Sequence, residues 1–173
     1  MLNLFKNKLK LIHENTHCVI KLVLREKINL TFRRATMNDL SEIQRIERAS
    51  FPYPYSTYYQ KLLIKNADIY YVAEYNGLIV GYIIARVEPN NLGHIISIAV
   101  HPDYRRKGIG ETLMKKAEMD LKELGCYRVI LEVNVTNYPA IKLYTKLGYI
   151  KIKVLHNYYS DGSDAYQMLK SLI

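Results

Sequence analysis

The chain of 173 residues has no tryptophan and only two cysteines, and each shortage excludes something. Cys18 and Cys126 lie far apart and form no CxxC or CxxH pair, which argues against a disulfide framework and a structural zinc site. No apolar run approaches the roughly 18 residues of a membrane span, and lysines interrupt the region where a signal peptide has its apolar centre. We therefore expect a cytoplasmic protein with no membrane segment and no metal.

Tyrosine and positive charge are abundant instead. The 16 tyrosines outnumber three phenylalanines, so most aromatic bulk carries a hydroxyl that needs a partner or water. Twenty-five lysines and arginines against 16 acidic residues give a net charge of +9, which favours anionic partners such as a phosphate-bearing cofactor, nucleic acid or the ribosome. Charge alone does not choose among these partners, and no motif indicates specific DNA binding.

The basic excess is concentrated in residues 1–28. This segment contains six lysines and arginines but only two glutamates, which gives it a net charge of +4. Apolar residues recur between the lysines at helical spacing, which is compatible with a basic amphipathic helix that binds the ribosome. A frayed extension explains the same pattern. We expect residues 1–28 to be an extension and residues 29–173 to form a single domain.

From Ile28 onward, strand-like and helix-like stretches alternate. Asn76-Gly77 separates two β-rich runs and predicts a hairpin. The main helical pattern covers residues 108–124, with Gly125 as its stop, and its predicted apolar face consists of Ile109, Leu113, Ala117, Leu121 and Leu124. The whole order is β, α, α, β, β, β, α, β, α, β, β. It predicts an α/β (α+β) fold with a mixed, mostly antiparallel sheet of about six to seven strands and about four helices on its two faces.

Other local signals define the ends of the helices. Residues 36–39 (Thr-Met-Asn-Asp) offer a capping box before a helix that ends near Ser50. The two prolines of residues 51–55 must break that helix, and Ser56 can cap the next one. Asn137 can cap the helix that ends before Gly148. These signals agree with the predicted order of elements.

A basic, glycine-containing stretch lies where a strand ends and the main helix begins. Residues 105–110 read Arg-Arg-Lys-Gly-Ile-Gly. A helix N-terminus presents unpaired N–H groups, and glycine lets a pyrophosphate approach the backbone closely. Neither GxGxxG nor GxxxxGK[ST] is present. The stretch therefore indicates a phosphate cradle of another kind, although a basic helix start without a ligand has the same composition.

Residues 94–110, 131–137 and 140–149 together resemble, in order and spacing, the signature blocks of the GNAT acetyltransferase superfamily. Within it, residues 158–166 resemble the YYxDGxDAY loop of protein N-terminal acetyltransferases, which include archaeal enzymes and the bacterial ribosomal-protein alanine type. The resemblance implies a GNAT fold, acetyl-CoA as co-substrate and protein N-termini as substrates.

The resemblance also implies a cofactor site. The pantetheine arm of acetyl-CoA would pair with a strand edge and its pyrophosphate would rest on the glycine-containing loop, with Asn137 and Tyr144 nearby. The residues so implied are Ile98, Ala99, Val100, Arg105, Arg106, Lys107, Gly108, Ile109, Gly110, Glu111, Asn137 and Tyr144.

By the same resemblance, Glu132 would be the general base, acting through a water, and Tyr144 the general acid. His94 begins the strand before the cradle, at a position where some relatives have a catalytic Tyr or His. If His94 and Glu132 face each other across neighbouring strands, they share the base role. Each of the three also has a purely structural interpretation, as the polar side of a strand or as core.

The substrate loops are rich in tyrosine. The resemblance implies that Glu132 and two loops bind the peptide, the loop residues being Phe51, Pro52, Tyr53, Tyr55, Tyr158 and Tyr159. Several relatives have a Glu where this chain has Tyr53, so we expect a preference for Met or another large first side chain. Two alternatives remain open: acetylation of a lysine or small amine, and a ribosome- or RNA-binding module with a vestigial acetyl-CoA site.

Overall fold

The computed structural model describes residues 30–173. The predictions for residues 1–28, namely the basic helix or extension and the boundary before residue 29, lie outside the described residues. So does Cys18. Within the described part, no helix is long and apolar enough to cross a membrane.

Seven strands and four α-helices follow one another in residues 30–173, in the predicted order. They are β1 (Leu30–Arg34), α1 (Leu40–Ser50), α2 (Thr57–Asn66), β2 (Ile69–Tyr75), β3 (Leu78–Glu88), β4 (Leu92–Val100), α3 (Ile109–Glu123), β5 (Arg128–Asn134), α4 (Tyr138–Lys146), β6 (Ile150–Leu155) and β7 (Ala165–Ser171). Single 3-10 turns, Met37–Asp39 and Pro102–Tyr104, precede α1 and α3.

The strands form one mixed sheet with the order β1-β2-β3-β4-β5-β7-β6. β2 with β3, β3 with β4, β5 with β7 and β6 with β7 are antiparallel pairs. β4 and β5 are parallel, because α3 carries the chain back along the sheet between them. This architecture confirms the predicted fold class.

Helices cover both faces of the sheet. On one face, α1 buries Ile43 and Ile46 completely in a cluster with Tyr82 and Ile84 of β3. On the other face, the ammonium of Lys116 on α3 lies 4.3 Å from the ring centre of Tyr71 on β2. Since neighbouring side chains of a strand point to opposite faces, the β-rich runs can be apolar throughout and still fill two cores.

A chain of buried polar groups crosses the α1 face. Glu47 of α1 is 1% exposed, and its Oε1 accepts hydrogen bonds from Gln60 Nε2 and the Tyr82 hydroxyl, both at 2.6 Å. Tyr70 donates to Gln60 Oε1 at 2.6 Å, and Ser97 Oγ of β4 lies 3.0 Å from the Tyr82 hydroxyl. These hydrogen bonds therefore connect α1, α2 and the three strands β2, β3 and β4.

The predicted capping and turn signals are present. The backbone N–H and the hydroxyl of Thr36 donate to Asp39 Oδ2 at 2.7 and 2.9 Å, which completes the predicted capping box. Ser56 Oγ accepts from Tyr59 N at 3.2 Å and caps α2. Asn76 and Gly77 have φ angles of 49° and 82°, as a two-residue hairpin turn requires.

The predicted apolar face of α3 is wrong at its last position. Leu124 is 54% exposed, whereas Ile109, Leu113, Ala117 and Leu121 are buried as expected. The helix ends at Glu123, and Leu124 is its C-cap, so the helical spacing no longer sets the direction of its side chain. Met114 fills part of the face instead and is completely buried.

The sheet opens between β4 and β5. Their register runs only from Leu92 opposite Arg128 to Ile95 opposite Leu131, although both strands continue. The next residue of β4, Ile96, is skipped in the register with β3, which is a β-bulge. A bulge bends its strand and increases its twist. The bend therefore comes directly after the last β4–β5 pair, and beyond it the two strands separate.

Candidate active site

The edge of β4 beyond Ile95 presents backbone groups that no strand of residues 30–173 pairs with, although the Val100 carbonyl on that edge accepts a hydrogen bond from the Arg105 side chain. His101 N donates to Val80 O of β3 at 2.8 Å. Because successive residues of a strand turn their N–H and C=O groups to opposite edges, those of Ile98 and Val100 face the side away from β3. No strand within residues 30–173 pairs with that edge beyond Ile95. Amide groups of an extended ligand can satisfy it, which fits the pantetheine arm of acetyl-CoA.

The glycine-containing loop leads from this edge to the N-terminus of α3. Gly108 is the N-cap, with φ of 81°, a value that favours glycine. Its carbonyl accepts from Thr112 N at 3.0 Å, so the N–H groups of Ile109, Gly110 and Glu111 belong to the first turn and have no helical acceptor. A Cβ on Gly108 would meet nothing within 4 Å. The backbone there is open and suited to an anion.

Two of the three cations of the loop are held by other groups of the protein. Arg105 Nε donates to the Val100 carbonyl at 2.9 Å, and its Nη2 lies 3.3 Å from Ser50 Oγ. The Lys107 ammonium lies 5.1 Å from the ring centre of Tyr104. Arg106 has φ of 63° and is exposed. The predicted cradle therefore offers an anion its backbone amides and the exposed Arg106, while the Arg105 and Lys107 side chains contact other groups of the protein.

Two other predicted cofactor residues make contacts inside the protein. The Glu111 carboxylate binds Lys115 Nζ at 2.9 Å and Lys146 Nζ of α4, an ion pair that ties α3 to α4 beside the cradle. Asn137 Oδ1 accepts from Ala140 N at 3.3 Å and caps α4. For Glu111, these contacts occupy the carboxylate, while its backbone N–H lies in the first turn of α3 without a helical acceptor.

Glu132 and His94 meet on the α1 face, next to the point where β4 and β5 separate. His94 Nε2 lies 2.7 Å from Glu132 Oε2. His94 is opposite Ile130 in the parallel register, so Glu132 is one strand period further along β5. The side chains are 18% and 9% exposed, respectively. The two side chains thus meet across neighbouring strands, which is the condition that a shared base role requires.

Two further residues complete this cluster, and the sequence analysis missed both. Gln167 of β7 donates from Nε2 to Glu132 Oε1 at 2.9 Å, from the position directly opposite Glu132. Glu88, the last residue of β3, places Oε1 3.3 Å from His94 Nδ1. The only available signal for Glu88 was its position at the end of a strand, six residues before His94.

The electrostatics of the cluster favour an ionised carboxylate. Burial acts to raise the pKa of Glu132, but the hydrogen bonds from His94 and Gln167 outweigh it, and the pKa lies below its usual value. Burial acts to lower the pKa of His94, but its contacts with Glu132 and Glu88 outweigh it, and the pKa lies above its usual value. Glu132 therefore accepts hydrogen bonds at neutral pH, and a proton lies between it and His94.

Tyr144 lies on α4 and is 7% exposed. Burial raises its pKa well above the ordinary phenol value, with a smaller contribution from nearby Tyr159. Its ring meets that of Tyr149 edge to face, 6.0 Å between centres. Tyr144 is therefore packed in the core, as its structural interpretation expects, and its hydroxyl stays protonated at neutral pH.

Tyrosines of two loops gather beside Glu132. Tyr55 packs edge to face with Tyr59 at 4.9 Å, and Tyr158 with Tyr159 at 5.1 Å. Burial raises the pKa of Tyr159 to about 12, with Tyr158 and Glu132 as the nearest negative contributors. The pKa of Tyr55 is raised to about 12 by burial and by neighbours that include Tyr158. The two loops thus line one region next to the cluster.

The other residues of the 51–55 loop divide into two groups. Phe51 is partly buried and packs against the α1 core rather than standing in the open. Pro52 is exposed and Tyr53 is 62% exposed. A hydrogen bond connects the loop to α1, because Gln44 Nε2 donates to the Tyr55 carbonyl at 3.1 Å. Within residues 30–173, no group of three or more His, Cys, Asp or Glu side chains is placed to hold a metal ion.

Comparison with known proteins finds a family match that includes His94, Glu132, Tyr144 and the glycine-containing loop. The model of the acetyltransferase (GNAT) family matches residues 38–149. The chain is 40% identical over 162 residues to an N-alpha-acetyltransferase of Sulfolobus acidocaldarius, a match that covers 86% of this chain and 96% of the relative.

Solved structures agree with the sequence matches. The crystal structure of Ard1 from Thermoplasma volcanium superposes with a TM-score of 0.80 at 30% identity, covering 83% of this chain and 98% of that one. The ribosomal-protein-S18-alanine N-acetyltransferase from Escherichia coli superposes with a TM-score of 0.72 at 28% identity, covering 83% and 94%. The fold described above is therefore similar to the folds of these two proteins.

Proposed function

The chain belongs to the acetyltransferase (GNAT) family, and we propose that it transfers the acetyl group of acetyl-CoA to the α-amine of protein N-termini. Family membership makes it an acetyl-CoA-dependent acetyltransferase. The identity to N-alpha-acetyltransferases along nearly their whole length supports a protein N-terminus as the acceptor.

One observation carries the proposed chemistry: the contact of His94 Nε2 with Glu132 Oε2 beside the opening between β4 and β5. The opening offers the unpaired edge of β4 and the amides at the start of α3, which suit the amide and phosphate groups of acetyl-CoA. Acetyl-CoA supplies an acetyl group activated as a thioester. A carboxylate next to that edge is within the region where the amine must lose its proton.

The α-amine needs only modest help. With a pKa near 7.7 to 8.0 it is roughly 10 to 15% neutral at pH 7, whereas a lysine amine near 10.4 is about 0.04% neutral. Glu132, ionised and held by two hydrogen bonds, accepts the proton of the attacking amine through a water, and His94 shares that proton. Tyr144 keeps its proton at neutral pH, and as the proposed general acid it donates a hydrogen bond to the departing thiolate; burial, which raises its pKa, does not itself promote the proton transfer.

The loops support a substrate with a free chain end. Tyr55 pairs with Tyr59, and Tyr158 pairs with Tyr159, so that both loops carry paired aromatic rings. Together with Tyr53, which is exposed, these loops are proposed to offer the peptide apolar rings with hydroxyl edges, which suit Met or another large first side chain.

Turnover of acetyl-CoA with short peptides tests the proposal. Peptides beginning Met-Leu, Met-Glu, Ser and Ala are each compared with a form that has a blocked N-terminus and a free internal lysine. We expect turnover on free N-termini only, with the Met peptides fastest. Equal turnover of Met and Ser peptides would remove the Met preference. Turnover on blocked peptides would reassign the acceptor to lysine.

The proposal includes a cytoplasmic location, since protein N-termini arise where chains are synthesised. It also includes ribosome association through residues 1–28, because this segment carries a net charge of +4. Replacing Lys6, Lys8 and Lys10 with glutamate is expected to weaken cosedimentation with ribosomes while peptide turnover stays the same. Unchanged cosedimentation at physiological salt would contradict this part of the proposal.

A further inference from the structure

We propose that Glu88 is a positioning residue of the active site, which binds Nδ1 of His94 and thereby fixes Nε2 of that ring against Glu132. The proposal rests on the base role proposed above for Glu132 and His94. It adds a third residue, which contacts neither the carboxylate base nor the cradle and acts only through the imidazole.

The geometry places the imidazole of His94 between two carboxylates. Glu88 Oε1 lies 3.3 Å from Nδ1, and Glu132 Oε2 lies 2.7 Å from Nε2. A protonated imidazole donates to both carboxylates at once, and a flip of the ring would break both contacts. In metal sites and in Ser-His-Asp triads, a second acceptor behind a functional histidine selects its tautomer and orientation in this way.

A rigid local framework holds Glu88 in place. Glu88 ends β3 and pairs with Leu92, so it shares one hairpin with His94, which pairs with Arg86. The connection between the two strands is short, and Asn90 and Asn91 adopt φ angles of 62° and 52°. The distance between Glu88 and His94 is therefore set by the hairpin itself, whereas Glu132 comes from a strand that follows α3.

Arg86 fixes the carboxylate of Glu88 in turn. It lies two residues earlier on the same face of β3, and its Nε donates to Glu88 Oε1. The hydrogen bonds of Arg86 and His94, with the attraction of both cations, outweigh a burial effect of the opposite sign and hold the pKa of Glu88 below its usual value. Arg86, Glu88, His94, Glu132 and the uncharged Gln167 thus form one continuous series across β3, β4, β5 and β7.

The chain offers a matched control for a simple surface ion pair. Glu74 of β2 accepts from Arg33 Nε at 2.8 Å, as Glu88 accepts from Arg86 Nε. The Glu74 side chain is 27% exposed and that of Glu88 is 25% exposed. Both glutamates are strand residues paired with arginine, but only Glu88 contacts His94. Any effect that Glu88 shows beyond Glu74 therefore belongs to the contact with His94.

The test compares Glu88→Leu, Glu88→Gln and the control Glu74→Leu, each in the wild-type chain and in His94→Asn. We expect Glu88→Leu to lower kcat on the order of tenfold with an unchanged KM for acetyl-CoA, as loss of such outer partners does elsewhere. Glu88→Gln keeps a carbonyl acceptor, so its loss is smaller, and Glu74→Leu keeps wild-type kcat. In His94→Asn, Glu88→Leu causes no additional loss, because the group through which it acts is gone.

Nitrogen-15 NMR of the His94 ring gives a readout that does not depend on activity. Removing the Glu88 charge is expected to lower the pKa of His94 and to reduce the fraction of the ring protonated at Nδ1. The proposal is overturned if Glu88→Leu leaves kcat and the His94 titration unchanged, or if it lowers kcat equally in His94→Asn. Should His94→Asn and Glu132→Gln themselves retain full activity, the proposed base role fails, while the NMR titration still decides whether Glu88 fixes the ring.

Discussion

Two buried glutamates on the α1 face of the sheet, Glu47 and Glu132, are held by different kinds of partner. Glu47 binds the neutral groups of Gln60 and Tyr82, and burial, the dominant influence, raises its pKa. Glu132 binds His94 and Gln167, and its pKa is lowered in spite of burial. Neutral donors hold a carboxylate in position but do not offset the cost of burying its negative charge. A histidine partner does offset that cost, so the carboxylate stays ionised and can accept a proton.

The comparison gives a criterion that distinguishes a carboxylate with a structural role from one suited to chemistry within the same protein core. Burial alone does not separate them, since both side chains are less than a tenth exposed. Their surroundings distinguish the two glutamates. Glu47 lies between α1, α2 and β3, whereas Glu132 lies where β4 and β5 separate. Each of the following changes acts on one glutamate and uses the other as its reference.

The largest expected effect is on activity at Glu132. Glu132→Gln keeps the shape and one carbonyl acceptor, for either His94 or Gln167, but loses the proton-accepting charge. We expect kcat/KM on N-terminal peptides to fall about 10²- to 10⁴-fold with little change in thermal stability. Steady-state kinetics and a thermal melt measure both. Wild-type turnover by this variant would contradict the base assignment.

The next effect is on stability at Glu47. Glu47→Ala leaves Gln60 Nε2 and the Tyr82 hydroxyl without their shared acceptor in a fully buried site. We expect the free energy of unfolding in urea to fall by about 3 kcal/mol, while kcat per folded molecule changes less than about threefold. Tyr70→Phe, which removes one donor at the far end of the same chain, is the milder control at about 1 kcal/mol. A large loss of kcat in Glu47→Ala with normal stability would reverse the comparison.

The smallest expected effect is on the pH dependence of stability. The contributions of Glu47 and Glu132 to the free energy of unfolding should change with pH in opposite directions. A raised folded-state pKa means that the contribution of Glu47 to stability is present at low pH and is lost as the pH rises through that pKa. The lowered pKa of Glu132 means that its contribution is present above the usual carboxyl pKa and is lost as the pH falls. The stability advantage of the wild type over Glu47→Gln should therefore shrink as the pH rises from acidic values, and that over Glu132→Gln should grow. Urea unfolding at a series of pH values measures both trends, and equal signs would refute the distinction.

Local sequence signals predicted the elements well because short-range physics determines them. Thr36 and Asp39, Asn76-Gly77 and Ser56 each act within four residues, and all formed the predicted caps or turn. Leu124 failed because the periodicity was extended by one residue past the end of the helix. The pattern of a helix cannot say on which residue its last turn ends.

Only those residues of the candidate site that the resemblance to the GNAT superfamily implied were predicted from the sequence. Glu132, His94 and the cradle were named in advance, and the geometry brings His94 and Glu132 into contact. Gln167, Glu88 and the Glu47 chain were missed, since they depend on strand order and register across the sheet. Gln167 is 35 residues from Glu132 and meets it only because β7 inserts between β5 and β6. No local pattern specifies that neighbour.

The separation of β4 from β5 also leaves the sheet incomplete on one side. Within residues 30–173, no strand pairs with the inner edge of β4 beyond Ile95. If the amides of acetyl-CoA occupy that edge, as we propose, they add a rung that the polypeptide leaves out, and binding raises the free energy of unfolding by RT ln(1 + [L]/Kd). The co-substrate would then stabilise the fold of the enzyme as well as supply its acetyl group.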